Sequence, residues 1–204
     1  MPLVLSRYAF TEDDWEEVQA FDCGQKDHEL EVSNWLKGPK GQDSAITSLS
    51  SENPSRVWLY RLEESDNEDA EPGPIVGFGA LGTTHWRWTD KKDPFLPITI
   101  IIWYGVQKTF KRQPPSHEDK FYSSQILDDL IVIAHETKDE RPILGLDVRP
   151  ENTRAIEIYR QKQFDINLAQ YVDKTTNIAY NRMARILDLD VLERMQNEAK
   201  KKKK

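Results

Sequence analysis

Residues 143–164, ILGLDVRPENTRAIEIYRQKQF, decide how the rest of the chain is read. Ile143, Leu144, Leu146 and Val148 make Ile143–Val148 a buried strand, and Pro150 stops it. Asn152 is a good N-cap, able to accept from the orphan N–H groups of the turn that follows. Ala155, Ile156, Tyr159 and Gln163 then fall on one face of a helix. On these residues alone the stretch is a strand and an amphipathic helix of an α/β core, with a tyrosine at a definite place.

Composition narrows the class. A chain of 204 residues is long enough for one domain with a sizeable core. It is 31% charged and has no apolar run of about 18 residues, so no membrane span is expected. The N-terminus lacks a basic stretch followed by an apolar one, which argues against a secretory signal. Cys23 stands alone, so no internal disulfide can form and a reducing, cytoplasmic setting is expected. Net charge is −7, and setting aside Lys200 to Lys204 leaves 23 basic against 35 acidic residues, or −12. Such a surface disfavours extended nucleic-acid binding, and the lysine run reads as a solvated tail.

Residues 3–10 read as a first strand, 12–21 as an acidic helix capped by Thr11, and 26–37 as a second helix with Leu30, Val32, Trp35 and Leu36 apolar. Residues 38–55 are rich in Gly, Pro and Ser and read as a loop. Residues 56–62 and 75–81 form a pair of strands joined by an acidic connection, and 98–106, ITIIIWYGV, is the most apolar strand and so central. Residues 124–137 make an amphipathic helix with Ile126, Leu127, Leu130, Ile131 and Ala134 inward. Strands at 168–172 and 178–187 follow, and a polar helix at 190–200 closes the chain. Only one clear βαβ unit is present, which argues against a Rossmann-like fold.

V-x-P-x-N-x-x-A-x-x-x-Y-x-x-x-x-F, from Val148 to Phe164, resembles the V-x-x-x-N-x-x-A-x-x-x-Y-x-x-x-G-F of GNAT-superfamily N-acetyltransferases. LPITIIIWYGV resembles that family's I-P-x-I-x-I-x-x-L-A-V strand, with Tyr104, Gly105 and Val106 in the L-A-V places. Phe21-Asp22-Cys23-Gly24 and the helix carrying Trp35-Leu36 resemble a subgroup that includes toxin-like acetyltransferases. The resemblance runs to about Leu187. It implies an α/β (α+β) fold with a mixed, mostly antiparallel central sheet flanked by helices. Residues 1–189 would be a single acyltransferase domain, and 190–204 a C-terminal helix and lysine-rich tail.

The implied activity is acetyl transfer from acetyl-CoA to a primary amine by direct attack, which requires a held donor, a polarised carbonyl and proton transfer at both ends. On this resemblance, Trp103, Tyr104, Gly105 and Val106 line the pantetheine arm, with an N–H near Val106 on the acetyl carbonyl. The pyrophosphate meets the start of the helix after Ser123 and Ser124, where free N–H groups and the dipole favour an anion. The family's Q/R-x-x-G-x-G/A is missing there: residues 118–123 read EDKFYS, and Lys111, Arg112 or Lys120 would have to offset the phosphate charge. Tyr159 is the implied general acid for the thiolate, its high ordinary pKa keeping it protonated. Asn152 is either a helix cap alone or a cap that also contacts the pantetheine, and Gln163 replaces the glycine that ends the helix, so that turn must differ or carry strain.

The implied base does not carry over, because the family's strand glutamate falls near Ile100. His85 and Glu151 are candidates for a water-mediated route. His28, His117 and His135 lack metal-like spacing, so no metal is expected. Trp35 and Trp86 to Trp88 either line an acceptor cleft or belong to the core. The acceptor, a small molecule or peptide amine, has no signature in residues 24–55 and 83–97, and a homodimer is compatible with the sequence. Two further readings stand beside the enzyme. One is a non-catalytic GNAT-fold binding module, and the other a toxin-like enzyme acetylating charged tRNA.

Overall fold

The computed structural model describes residues 3–39, 42–51, 55–64, 72–87, 95–111, 120–168, 170–174 and 176–201. The strands are β1 (Leu3–Ala9), β2 (Arg56–Glu64), β3 (Ile75–Arg87), β4 (Phe95–Val106), β5 (Ile143–Val148), β6 (Ile166–Asn167), β7 (Tyr171–Val172) and β8 (Ala179–Ile186). The helices are α1 (Trp15–Val18), α2 (Asp27–Lys37), α3 (Ala45–Leu49), α4 (Tyr122–His135), α5 (Thr153–Gln161) and α6 (Leu189–Lys201). Among the described residues the strand order is β1-β2-β3-β4-β5-β8-β6, with β7 on β8. β4 and β5 run parallel, whereas β5, β6 and β7 all run antiparallel to β8. The mixed, mostly antiparallel sheet expected from the sequence is present.

The chain forms two compact units, residues 1–81 with 103–130 and residues 82–102 with 131–204. In the first, β1 pairs β2 from Leu3↔Glu64 to Ala9↔Trp58, and β2 pairs β3 with a register shift between Tyr60 and Arg61. Trp35 stacks on Phe78 at 6.1 Å between ring centroids, and Phe21 meets Phe78 edge-on at 5.5 Å. Gly79 lets α4 settle on the sheet, since a Cβ there would lie 2.8 Å from Leu130 Cδ2. Arg61 is buried and forks onto both carboxylate oxygens of Glu17 at 2.7 and 2.6 Å.

The second unit is built around β5. Its residues pair in parallel with β4, Ile100 facing Gly145, and antiparallel with β8 from Ile143↔Ile186 to Val148↔Asn181. A strand paired on both edges and covered on both faces should read as a near-continuous apolar run, and ILGLDV does. Trp86, Leu96, Ile98, Ile143, Ala184 and Leu192 form its core, with Ile100, Ile166, Ile186 and Met195 against them. Leu192 and Met195 make α6 an amphipathic helix of this core, not the purely polar one the sequence suggests.

Several expected boundaries are corrected. Residues 12–21 hold a 3-10 turn (Glu12–Asp14) and the four-residue α1, because Asp14 and Glu17 turn toward Arg61 and Asp14 also takes the Thr11 N–H. The loop expected at 38–55 contains α3, capped by Ser44 accepting from Thr47 N–H at 3.4 Å. β3 runs on to Arg87 and β4 begins at Phe95, where an acceptor loop over 83–97 was expected. Thr83, Thr84 and Trp86 continue the strand with β-branched and aromatic residues. The single strand expected at 168–172 is instead the two short strands β6 and β7.

At Gly145 a Cβ would sit 2.5 Å from two ring carbons of Trp86. Gly145→Ala is expected to lower the unfolding free energy by about 1–3 kcal/mol through overpacking. Urea denaturation of the two proteins checks this, and an unchanged midpoint would contradict the close approach.

Candidate active site

Asn152 starts α5 as its residue type suggests. Its side chain accepts from Ala155 N–H at 3.4 Å, and its own N–H donates to Arg149 C=O at 3.0 Å. Tyr159 lies on the buried face of α5, only 8% exposed, with its ring edge-on to Phe164 at 6.0 Å between centroids. The helix ends in a Schellman turn. Phe164 N–H donates to Tyr159 C=O at 3.0 Å, and Gln163 N–H to Arg160 C=O at 2.9 Å. Gln163 occupies the left-handed position, at φ 66°. The replaced glycine therefore leaves the turn intact and puts its cost into the backbone, about 1–2 kcal/mol for an L residue.

The same unit holds a cluster the sequence reading missed. Asp147 is the one charged residue of β5, and its Oδ2 accepts the Tyr171 hydroxyl at 2.8 Å. Its Oδ1 faces Arg182 Nε at 3.5 Å, an ion pair in which neither buried atom completes a hydrogen bond. The Arg182 guanidinium lies 4.2 Å from the Tyr171 ring centroid and 4.9 Å from that of Trp86. Tyr171 also stacks on Tyr180 at 5.7 Å. Burial holds the Asp147 carboxyl above its usual range, more than Tyr171 and Arg182 lower it. Burial and the Asp147 carboxylate both push the Tyr171 phenol up. A lone acid in an apolar strand was the available signal. The candidates His85 and Glu151 are both exposed, and Glu151 lies 3.5 Å from Arg149 Nη1.

In the first unit, Trp103, Tyr104, Gly105 and Val106 end β4 in sequence. Trp103 lies 6.4 Å from Trp35 between ring centroids, and Gly105 and Val106 are buried. A Cβ on Gly105 would come within 2.6 Å of Cys23 Sγ, so the Phe21-Asp22-Cys23-Gly24 turn seals one side of the strand. Asp22 holds that turn by accepting from Gly24 N–H at 2.8 Å and pairing with Lys108. Burial pushes the Cys23 thiol up to about 11. α4 begins two residues before the expected start, so Ser123 and Ser124 lie inside its first turn. Ser124 N–H donates to Phe121 C=O at 2.9 Å, which takes one of the two amides expected to face a phosphate. Lys111 pairs with Glu29 at 2.6 Å and Lys120 with Asp128 at 3.3 Å. Arg112, residues 118 and 119, His117 and Trp88 lie outside the described residues.

Trp35 and Trp86 are each buried within their own unit and take the core alternative. Among the described residues no group of three or more His, Cys, Asp or Glu side chains could hold a metal ion, and no helix is long and apolar enough to cross a membrane.

No protein-family profile matches the sequence, and no curated protein matches it significantly. Solved structures match almost end to end. A bacterial toxin aligns with a TM-score of 0.59 at 13% identity over 96% of each chain. A mutant of the toxin AtaT, bound to the C-terminus of the antitoxin AtaR and acetyl-CoA, aligns at 0.58 and 11% identity over 90% of this chain and 93% of its own. Arabidopsis thaliana NAA60 in complex with a bisubstrate analogue aligns at 0.56 and 10% identity over 91% of this chain and 100% of its own. The chain has the GNAT N-acetyltransferase fold. At these identities the likeness establishes the GNAT fold and nothing finer.

Gln163→Gly relieves the left-handed strain and is expected to raise the unfolding free energy by roughly 1 kcal/mol. Chemical denaturation measures it, and a loss of stability would contradict the φ assigned to this turn.

Proposed function

We propose that the protein is an acetyl-CoA-dependent N-acetyltransferase that moves the acetyl group to a primary amine, of a small molecule or peptide, by direct attack. The observation that carries the reading is Tyr159. It is a phenol on the buried face of α5, in a GNAT fold, on a helix fixed by the Asn152 cap at one end and the Schellman turn at the other. A neutral phenol there is a proton donor for a leaving thiolate.

Backbone groups of Trp103, Tyr104, Gly105 and Val106 line the pantetheine arm, and an N–H near Val106 polarises the acetyl carbonyl. The first turn of α4, with Ser123 and Ser124, receives the pyrophosphate. Asn152 adds a pantetheine contact and Tyr159 protonates the thiolate. The amine nitrogen attacks the acetyl carbon, the C–S bond breaks, and CoA leaves as the thiol. The Cys23 thiol, protonated at neutral pH by burial, supports transfer without an acyl-enzyme. Two structural neighbours, one with acetyl-CoA bound and one with a bisubstrate analogue, are consistent with this use of the fold. A single cysteine supports a reducing, cytoplasmic setting.

One observation favours the non-catalytic module as a second reading: Lys111 and Lys120, two cations available to a pyrophosphate, are already paired with carboxylates. Acetyl-CoA binding separates the two. For the enzyme, acetyl-CoA at a hundredfold over its Kd stabilises the fold by about 2.7 kcal/mol, seen as a rise in Tm. No shift at millimolar acetyl-CoA would leave the module. With methylamine as acceptor, Tyr159→Phe is expected to lower kcat at least about tenfold with acetyl-CoA affinity kept. Unchanged turnover would remove the general-acid role.

A further inference from the structure

β1 stands at one edge of the sheet, and among the described residues its one strand neighbour is β2. The register tells which backbone groups β2 leaves free. It runs from Leu3↔Glu64 to Ala9↔Trp58, and one step on, Phe10 N–H donates to Val57 C=O at 2.9 Å. In an antiparallel ladder such bonded pairs recur at every second residue. Val4, Ser6 and Tyr8 therefore turn their N–H and C=O groups toward β2. Those of Leu3, Leu5, Arg7 and Ala9 point the other way, along the open edge.

Native sheets guard such an edge with lysine, proline or a bulge. LVLSRYA has neither lysine nor proline, and its pairing with β2 runs without a shift. Its one charge is turned back onto its own chain. Arg7 Nη1 reaches both Asp129 oxygens, at 3.1 and 3.0 Å, and the guanidinium lies 5.8 Å from the Trp58 ring centroid. The Tyr8 hydroxyl likewise donates to Glu63. What the edge offers is bare backbone, flanked by Val4 at 41% exposure and Tyr8 at 38%.

We propose that β1 pairs antiparallel with β1 of a second copy, about a two-fold axis at Ser6. Free groups must meet free groups, so the axis has to pass through a residue and not between two. An axis at Arg7 sets two like charges directly opposite each other. An axis at Leu5 pairs only residues 3–7 and leaves Tyr8 beyond the other strand. At Ser6 the whole strand is used. Leu3 then faces Ala9 and Leu5 faces Arg7, each pair exchanging two N–H···O bonds. Val4 faces Tyr8 at a closely spaced position, a β-branched residue against an aromatic one. The same strand supplies both halves of every pair, as a two-fold interface requires, and this self-match selects a second copy over an unrelated strand.

A single strand pair is a small interface, so a Kd in the micromolar range is expected. Sedimentation of the full chain at about 100 μM should give twice the monomer mass of 23.8 kDa, falling toward monomer on dilution. Cross-linking tests the register. Ser6 faces its own copy at a non-hydrogen-bonded position, with Cα atoms about 4.5 Å apart, which a disulfide can span. Leu5 faces Arg7, so two copies of Leu5 lie beyond the roughly 7 Å limit. With oxidised glutathione, Ser6→Cys should give a covalent dimer and Leu5→Cys should not. Cys23 is buried, and the unaltered chain is the control. Ala9→Pro removes an outward N–H and no bond to β2, so the fold is kept, which a melting curve checks. It should raise the dimer Kd at least about tenfold. A chain that stays monomeric at about 100 μM overturns the proposal. So does a dimer that a folded Ala9→Pro leaves intact, or one that Ser6→Cys fails to cross-link. Equal cross-linking through Ser6→Cys and Leu5→Cys overturns it as well.

Discussion

A carboxylate placed in an apolar strand must be compensated, and the second unit is organised around that constraint at Asp147. Removing a carboxylate from water costs several kcal/mol. The ion pair with Arg182 returns about 5 kcal/mol at 3.5 Å in an effective dielectric of about 20, before Arg182's own desolvation is charged against it. The Trp86 and Tyr171 rings supply the guanidinium with about 1–2 kcal/mol of cation–π attraction. Burial still outweighs the partners, since the carboxyl stays above its usual range. Four strands are tied by this one charge: Trp86 on β3, Asp147 on β5, Tyr171 on β7 and Arg182 on β8. Such a pair adds little net stability, because desolvation offsets most of the attraction.

The first unit solves its electrostatics differently. Arg61 is buried and satisfied by Glu17, Asp14 and the Gly73 carbonyl, so it fastens the acidic N-terminal segment to β2. Asp22 and Lys108, and Glu29 and Lys111, then tie the turn at Gly24 to the segment following β4. These pairs engage Lys108 and Lys111, and Lys120 at the start of α4 is likewise held by Asp128 at 3.3 Å.

Much of this was legible in the chain. ILGLDV has the bounds it was read with, because a strand paired on both edges has to be apolar throughout and Pro150 marks its end. The inward residues of α4, Ile126, Leu127, Leu130, Ile131 and Ala134, are all buried, since a helical stripe of that width has only one way to face. The extensions of β3 and β4 were missed because Thr83 to Arg87 alternate in polarity and resemble loop, although alternation is what a half-exposed strand shows. Asp147 escaped for the opposite reason. Its partners lie 24 and 35 residues away in sequence, and nothing local announces that Tyr171 and Arg182 will meet it. The candidate acetyl-CoA residues were found through resemblance, because contacts made by backbone leave no trace in side-chain identity.

The side chains that could carry the acetyl group themselves also bear on mechanism. A covalent route requires a nucleophile ionised near neutral pH, and the thiolate is the reactive form of cysteine. Cys23 is held as the thiol by burial among Val32, Phe78 and the Gly105 backbone, and its Sγ packs where Gly105 has no Cβ. Its function is then to fill space. Lys108 and Lys111 are each paired with a carboxylate, that of Asp22 and that of Glu29. Under the proposed direct transfer the chemical burden falls on proton movement, and a phenol at Tyr159 suits it because tyrosine's high ordinary pKa keeps it protonated until a stronger base arrives.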